Sequence, residues 1–196
     1  MNKLEIIKSN FYQNRDVIEK TVNTNIEDIN YATDMLINMI ESNGKLLVCG
    51  NGGSSGDAQH ISSEFINRFE KERTEMPAIS LNSDTATLTS IANDYDYKYI
   101  FSKQVKALGQ SNDILMTFTT SGNSNNINEA IIAAKERKIK IILISGKDGG
   151  KAATLLGKQD CKIIIPHDRT SRIQEMHLII IHSICECLDE YMTSKF

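Results

Sequence analysis

Between Lys45 and Ile165 the chain repeats one pattern five times: a short apolar run of strand length, then a stretch long enough for a helix. The runs are Leu46 to Cys49, Ala78 to Leu81, Ile114 to Phe118, Ile139 to Ile144 and Cys161 to Ile165. They do not alternate polar with apolar residues, so both faces of each strand must be covered. Strands buried on both faces and joined by helices form a parallel sheet. Helices are expected at about Ser55 to Glu70, Thr85 to Asn93, Phe101 to Leu108 and Ser124 to Arg137, with a short one after Gly150 and a last one from Arg172 to Met192. The predicted fold is a three-layer, doubly wound α/β architecture around a five-stranded, flavodoxin-like parallel sheet.

Ahead of the sheet lie two helical patterns, Ile6 to Ile18 and Ile26 to Ile40, closing at Asn43-Gly44. Residues 1–43 therefore read as a helical extension and 44–196 as the core of a single domain. Of the residues 40% are apolar and 24% charged, as in ordinary globular proteins. With 22 Lys and Arg against 25 Asp and Glu, the net charge is −3. That balance offers no basic stripe for nucleic acid and no polybasic patch for a membrane. Apolar runs such as Leu178 to Ile181 fall short of the ~18 residues that span a bilayer, and Met1 to Asn10 is polar, so a cytoplasmic location is expected. Cys49, Cys161, Cys185 and Cys187 show neither redox nor zinc-finger spacing and read as reduced, mostly structural residues.

In an open parallel sheet, ligands gather where carboxyl ends of strands meet helix N-termini. After the first strand comes Gly50-Asn51-Gly52-Gly53-Ser54-Ser55-Gly56-Asp57, whose glycines admit close backbone approach and whose hydroxyls can hydrogen-bond a ligand. It departs from a dinucleotide fingerprint at Ser55 and lacks the lysine of a P-loop. The third strand ends in a second such turn, Thr119-Thr120-Ser121-Gly122-Asn123-Ser124. Two such turns can hold a phosphorylated small molecule through hydroxyl and amide donors with help from helix dipoles. His60 and Glu64 stand four residues apart on one helix face, where they could address one ion or one substrate. On the last helix, His182 sits in an apolar stretch that by default buries it, His177 reads as structural, and His167 as a loop residue.

Together, Cys49 to Ser54, Asp57-Ala58-Gln59-His60, Asn93-Asp94-Tyr95, Thr120 to Ser124 and Arg172-Ile173-Gln174-Glu175-Met176-His177 resemble the phosphoheptose isomerases, which are sugar-isomerase (SIS) domain proteins. The resemblance runs from about Asn25 across nearly the whole chain. It implies conversion of sedoheptulose 7-phosphate to D-glycero-D-manno-heptose 7-phosphate, the entry to ADP-heptose and lipopolysaccharide, by a homotetramer. It also implies one Zn²⁺ per subunit at His60, Glu64, Gln174 and His182. Substrate contacts are implied at Asn51, Gly52, Gly53, Glu64, Asn93, Asp94, Thr119, Thr120, Ser121, Ser124 and Gln174, with Thr119 standing where the family usually has serine. A non-catalytic tetrameric sister binds the bacterial replication initiator, and Ile66 to Glu70, Lys103 to Gly109 and Leu155 to Asp160 are closer to it. The sister lacks the glutamate and the second helix histidine, whereas Glu64 and His182 are both in place here. A third alternative is an SIS enzyme or sensor for another phosphosugar.

Aldose–ketose interconversion needs a base to move a proton between C1 and C2 and an acid to serve the oxygens. Glu64 as base and His182 as acid fit those needs, with Gln174 orienting substrate or completing the metal site. Gln174 and His182 lie eight residues apart, about 12 Å along a helix. Either both stretch toward a site between them or one comes from a neighbouring chain. The apolar Leu178-Ile179-Ile180-Ile181 favours the second arrangement, because such a helix needs partners on several sides.

Overall fold

The structure is a computed structural model and describes residues 2–195. Five strands, β1 (Leu46–Gly50), β2 (Ala78–Ser80), β3 (Ile114–Phe118), β4 (Lys140–Gly146) and β5 (Cys161–Ile165), form one sheet in the order β2-β1-β3-β4-β5. Every neighbouring pair is parallel. The expected three-layer, flavodoxin-like arrangement is therefore present. Alternate strand residues face opposite layers, as the two-residue period of a strand requires. Val48, Met116, Phe118, Ile144 and Ile163 pack beneath helices α1 (Lys3–Glu41), α2 (Gly53–Ile66) and α7 (Thr170–Ser194). Leu47, Leu115, Ile141 and Leu143 pack beneath the other layer, formed by α3 (Thr85–Asp94), α4 (Ser102–Leu108), α5 (Asn125–Glu136) and α6 (Gly150–Thr154).

The two expected N-terminal helices are one. α1 runs unbroken for 39 residues and opens with a capping box between Asn2 and Glu5. The polar stretch read as a break is instead the face that meets the sheet edge: Thr21 and Asn25 are buried. Asn25 Oδ1 accepts the Ile164 amide at 3.0 Å, and Cys161 Sγ lies 3.2 Å from Asp28 O. Strand β5 is an edge with an unpaired row of amides, and a helix carrying an acceptor there satisfies one and covers the rest. An asparagine that interrupts an apolar stripe can therefore belong inside a helix.

Helices α2 and α7 lie side by side in the same direction. Gly53 meets Gln174, Asp57 meets His177, His60 meets His182, and residues 70–73 meet Asp189. This parallel pairing positions the chemistry.

Candidate active site

The first site lies at the carboxyl ends of β1 and β3. A cleft of about 330 Å³ is lined by Asn51, Gly52, Gly53, Ser54, Phe118, Thr119, Thr120, Ser121, Ser124, Thr170 and Gln174. Three helices begin around it: α2 at Gly52-Gly53, α5 at Ser124-Asn125 and α7 at Arg169-Thr170, none closed by a side-chain cap. The positive ends of three helix dipoles thus face one space that no lysine or arginine lines. That combination suits a phosphate dianion.

Local sequence explains the shape. Gly52 adopts φ +55, and a Cβ on Gly50 would lie 2.2 Å from the Ser54 carbonyl, so the turn closes only with glycine there. Asn82, two residues after β2, grips the end of β1 by accepting from the Gly50 amide at 3.1 Å and donating to its carbonyl at 2.9 Å. Asn51 and Asn126 exchange two amide hydrogen bonds of 2.8 Å, and the Tyr97 hydroxyl donates to Asn51 Oδ1 at 3.3 Å. Sequence reasoning missed Asn82, Asn126 and Tyr97. For the two asparagines the available signal was their place, just past a strand or just inside a helix start, where such a side chain can replace a missing backbone partner; Tyr97 carried none.

The second site lies farther along α2. His60 Nε2 stands 3.0 Å from Glu64 Oε1 and 3.4 Å from His182 Nε2. The His182 ring meets His60 edge-on at 5.1 Å between centroids, and Phe69 stacks on it at 5.4 Å and 27°. His182 is half-buried in this cluster, and the default burial within an apolar helix is thereby corrected. Glu64 and His182 of the same chain both touch His60, so this cluster needs no second chain to bring the two together.

Gln174 stands apart from the other expected metal ligands. Its amide lies against Gly53, where an added Cβ would fall 2.6 Å from Nε2. Gly53 is seven residues before His60, or about 10 Å along α2. Asn93 and Asp94 are exposed at the end of α3, where Asn93 Nδ2 donates to Asp94 Oδ1 at 2.9 Å, and neither lines the cleft. His177 is fully buried between Phe118 and Asp57, 3.4 Å from the Asp57 carboxylate but poorly aligned for a hydrogen bond.

The donors of the cluster are of the types that bind a divalent cation. Two nitrogens on a tetrahedral Zn²⁺ with bonds of about 2.0–2.1 Å stand about 3.3–3.4 Å apart, close to the His60–His182 separation. Among the described residues, no group of three His, Cys, Asp or Glu side chains is placed to hold a metal ion, so a cation at this cluster would require its side chains to move. The cysteines lie outside this chemistry. All four are free, and burial, reinforced by the Glu64 and Asp189 carboxylates, pushes the Cys185 thiol up to about 12.

Residues 10–146 match the SIS domain family. Among curated relatives, the phosphoheptose isomerase of Chromohalobacter salexigens is 54% identical over 164 residues, covering 84% of this chain and 83% of its own. That of Alkalilimnicola ehrlichii is 47% identical over 192 residues, covering 98% of each. The solved phosphoheptose isomerase of Neisseria gonorrhoeae superposes with a TM-score of 0.93 at 39% identity, over 96% of this chain and 100% of that one. This chain belongs to the SIS-domain family, within its phosphoheptose isomerase branch.

Proposed function

We propose that the protein interconverts sedoheptulose 7-phosphate and D-glycero-D-manno-heptose 7-phosphate through an enediol. The observation that carries the reading is that one chain supplies both an anion cleft bounded by three uncapped helix starts and a carboxylate–imidazole cluster. The cleft binds the phosphate through Thr119, Thr120, Ser121 and Ser124, with Asn51, Gly52 and Gly53 supplying the opposite wall and Gln174 orienting the sugar.

In the ketose-to-aldose direction, Glu64 takes the C1 proton while His182 donates a proton to O2, giving the enediol. His182 then recovers the proton from O1 as Glu64 returns its proton to C2, and the aldehyde forms at C1. Both groups end in their starting states. His60, Glu64 and His182 would hold a Zn²⁺, which would supply polarisation of the carbonyl in place of the proton from His182. His60 holds the other two side chains in register through its contacts with both.

The anion cleft and the acid–base cluster stand about two helical turns apart in one chain, and this supports a site completed between subunits of a homotetramer. In such an assembly the turns and Gln174 of one chain serve the cluster of another. Exposed apolar residues along α1, among them Leu4, Ile7, Phe11, Val22 and Ile26, together with Ile179 on α7, supply surface for it. No helix among the described residues is long and apolar enough to cross a membrane, in keeping with a cytoplasmic role in heptose supply. The isomerase relatives named above favour this reading over the initiator-binding alternative, which would dispense with Glu64 and His182.

The test is conversion of sedoheptulose 7-phosphate by purified protein. Glu64→Gln and His182→Ala should each lower turnover by about 10²- to 10⁴-fold with the fold intact. A variant of near-normal rate removes that residue from the chemistry.

A further inference from the structure

Beyond the reacting groups, a fully buried ion pair links the two helices that carry them. The side chains of Arg73 and Asp189 are only 1% and 2% exposed, with Nε donating to Oδ1 at 2.9 Å. A pair so completely removed from water seldom adds stability over apolar packing of the same volume. Its contacts point to another use.

The rest of the Arg73 fork is spent on the end of α2. Nη2 donates to Glu64 O at 2.6 Å, and Nη1 to Phe65 O at 2.9 Å and Thr74 O at 3.2 Å. The Glu64 and Phe65 carbonyls belong to the last turn of α2, where the helix supplies no amide partners and its dipole is negative. The guanidinium therefore caps the helix at the residue that carries the base.

Asp189 extends the link to the acid. Its Oδ2 accepts the amides of Glu70 at 2.8 Å and Lys71 at 2.9 Å, fixing the loop just after Phe69, whose ring stacks on His182. Asp189 also lies seven residues beyond His182 on α7, close to two helical turns, so both occupy one face. One carboxylate thus holds through one oxygen the cation that grips the Glu64 backbone. Through the other it holds the loop whose aromatic ring covers His182.

Resting on the isomerase reading of those two groups, we propose that the Arg73–Asp189 pair and Phe69 are positioning residues that set Glu64 against His182 for proton transfer. None of the three lines the anion cleft. Their loss should therefore slow turnover without weakening phosphate capture.

The experiment compares Arg73→Lys, which keeps the charge but loses the fork, with Phe69→Leu and Phe69→Tyr. The readouts are kcat, KM for sedoheptulose 7-phosphate, and inhibition by inorganic phosphate, with thermal unfolding as the fold control. Arg73→Lys and Phe69→Leu should lower kcat by about 10- to 100-fold, the scale of a misplacement near 1 Å. KM and phosphate inhibition should stay within about twofold, and Phe69→Tyr, which retains the stacked ring, should restore most of the rate. Added to Glu64→Gln, Arg73→Lys should cost nothing further, since it acts through the side chain already removed.

A folded Arg73→Lys with unchanged kcat overturns the proposal. So does a further full loss in the Glu64→Gln background, or a parallel rise in KM and the phosphate inhibition constant. Should Arg73→Lys fail to fold, the Phe69 variants decide, and equal kcat for Leu and Tyr overturns the proposal. A Glu64→Gln protein of normal rate would remove the base assignment and this inference together. A silent Arg73→Lys beside an inactive Glu64→Gln removes the inference alone.

Discussion

Replacing Gly122 by alanine should cost far more than its single methyl group suggests. Gly122 sits in the middle of the Thr119–Ser124 turn at φ +66, and an added Cβ would fall 1.8 Å from Gly149 O and 2.4 Å from its carbonyl carbon. Neither atom is at the end of a flexible side chain, so the two turns must separate. Separation breaks the hydrogen bond from the Ala152 amide to Gly122 O, 2.9 Å long. The left-handed conformation costs alanine about 1–2 kcal/mol, and the lost hydrogen bond about 1 kcal/mol more. With the displaced packing a total of about 3 kcal/mol is expected, which for a domain of this size lowers the melting temperature by about 6–12 °C. Gly52→Ala is the control: it too has positive φ, at +55, but no atom lies within 4 Å of the place its methyl would take. Strain alone should cost it about 1–3 kcal/mol. The assay is thermal unfolding by circular dichroism, with phosphate inhibition alongside, since both glycines shape the cleft. A Gly122→Ala protein that melts within about 2 °C of the parent would refute the argument from close approach.

Three further outcomes are expected. Thr120→Ala with Ser121→Ala should raise KM more than it lowers kcat, measured by steady-state kinetics, because the turn captures phosphate rather than moving protons. Hybrids reassembled from Glu64→Gln and His182→Ala chains should stay inactive, because both residues share one cluster, whereas Glu64→Gln mixed with Gln174→Ala should regain activity; the reverse pattern would mean that the cluster is split between chains. Protein purified without a chelating tag should contain about one Zn²⁺ per chain by elemental analysis and lose it in His60→Ala; absence of metal together with chelator-insensitive activity would leave His60, Glu64 and His182 as plain acid–base groups.

Much of this arrangement was legible in the residues because the signals were local. The run Ile139 to Ile144 has the length and composition of a strand covered on both faces, and β4 occupies it. The two glycine- and hydroxyl-rich turns announced the cleft because backbone conformation there calls for glycine at Gly52 and Gly122. The continuity of α1 was not legible, since Asn25 looks like a break until the amide of Ile164 is seen to need it. Nor were Arg73 and Asp189, which lie 116 residues apart and acquire meaning only when α2 and α7 are laid side by side. The His60–Glu64 spacing is written in the helix period, but the place of Gln174 depends on how far α7 has travelled along its neighbour.

The length of α1 has a consequence for how the chain behaves in dilute solution. Thirty-nine residues make a rod of about 58 Å, and every residue of its first two turns, through Lys8, is exposed. The exposed end of a helix frays more readily than its packed middle. In the proposed tetramer a neighbouring chain would cover that end, so its amide hydrogens should exchange with solvent rapidly when chains are scarce and slowly when they are crowded together. Amide exchange at Leu4 to Lys8 would then work as a built-in gauge of association, readable at concentrations where the rest of the fold no longer changes.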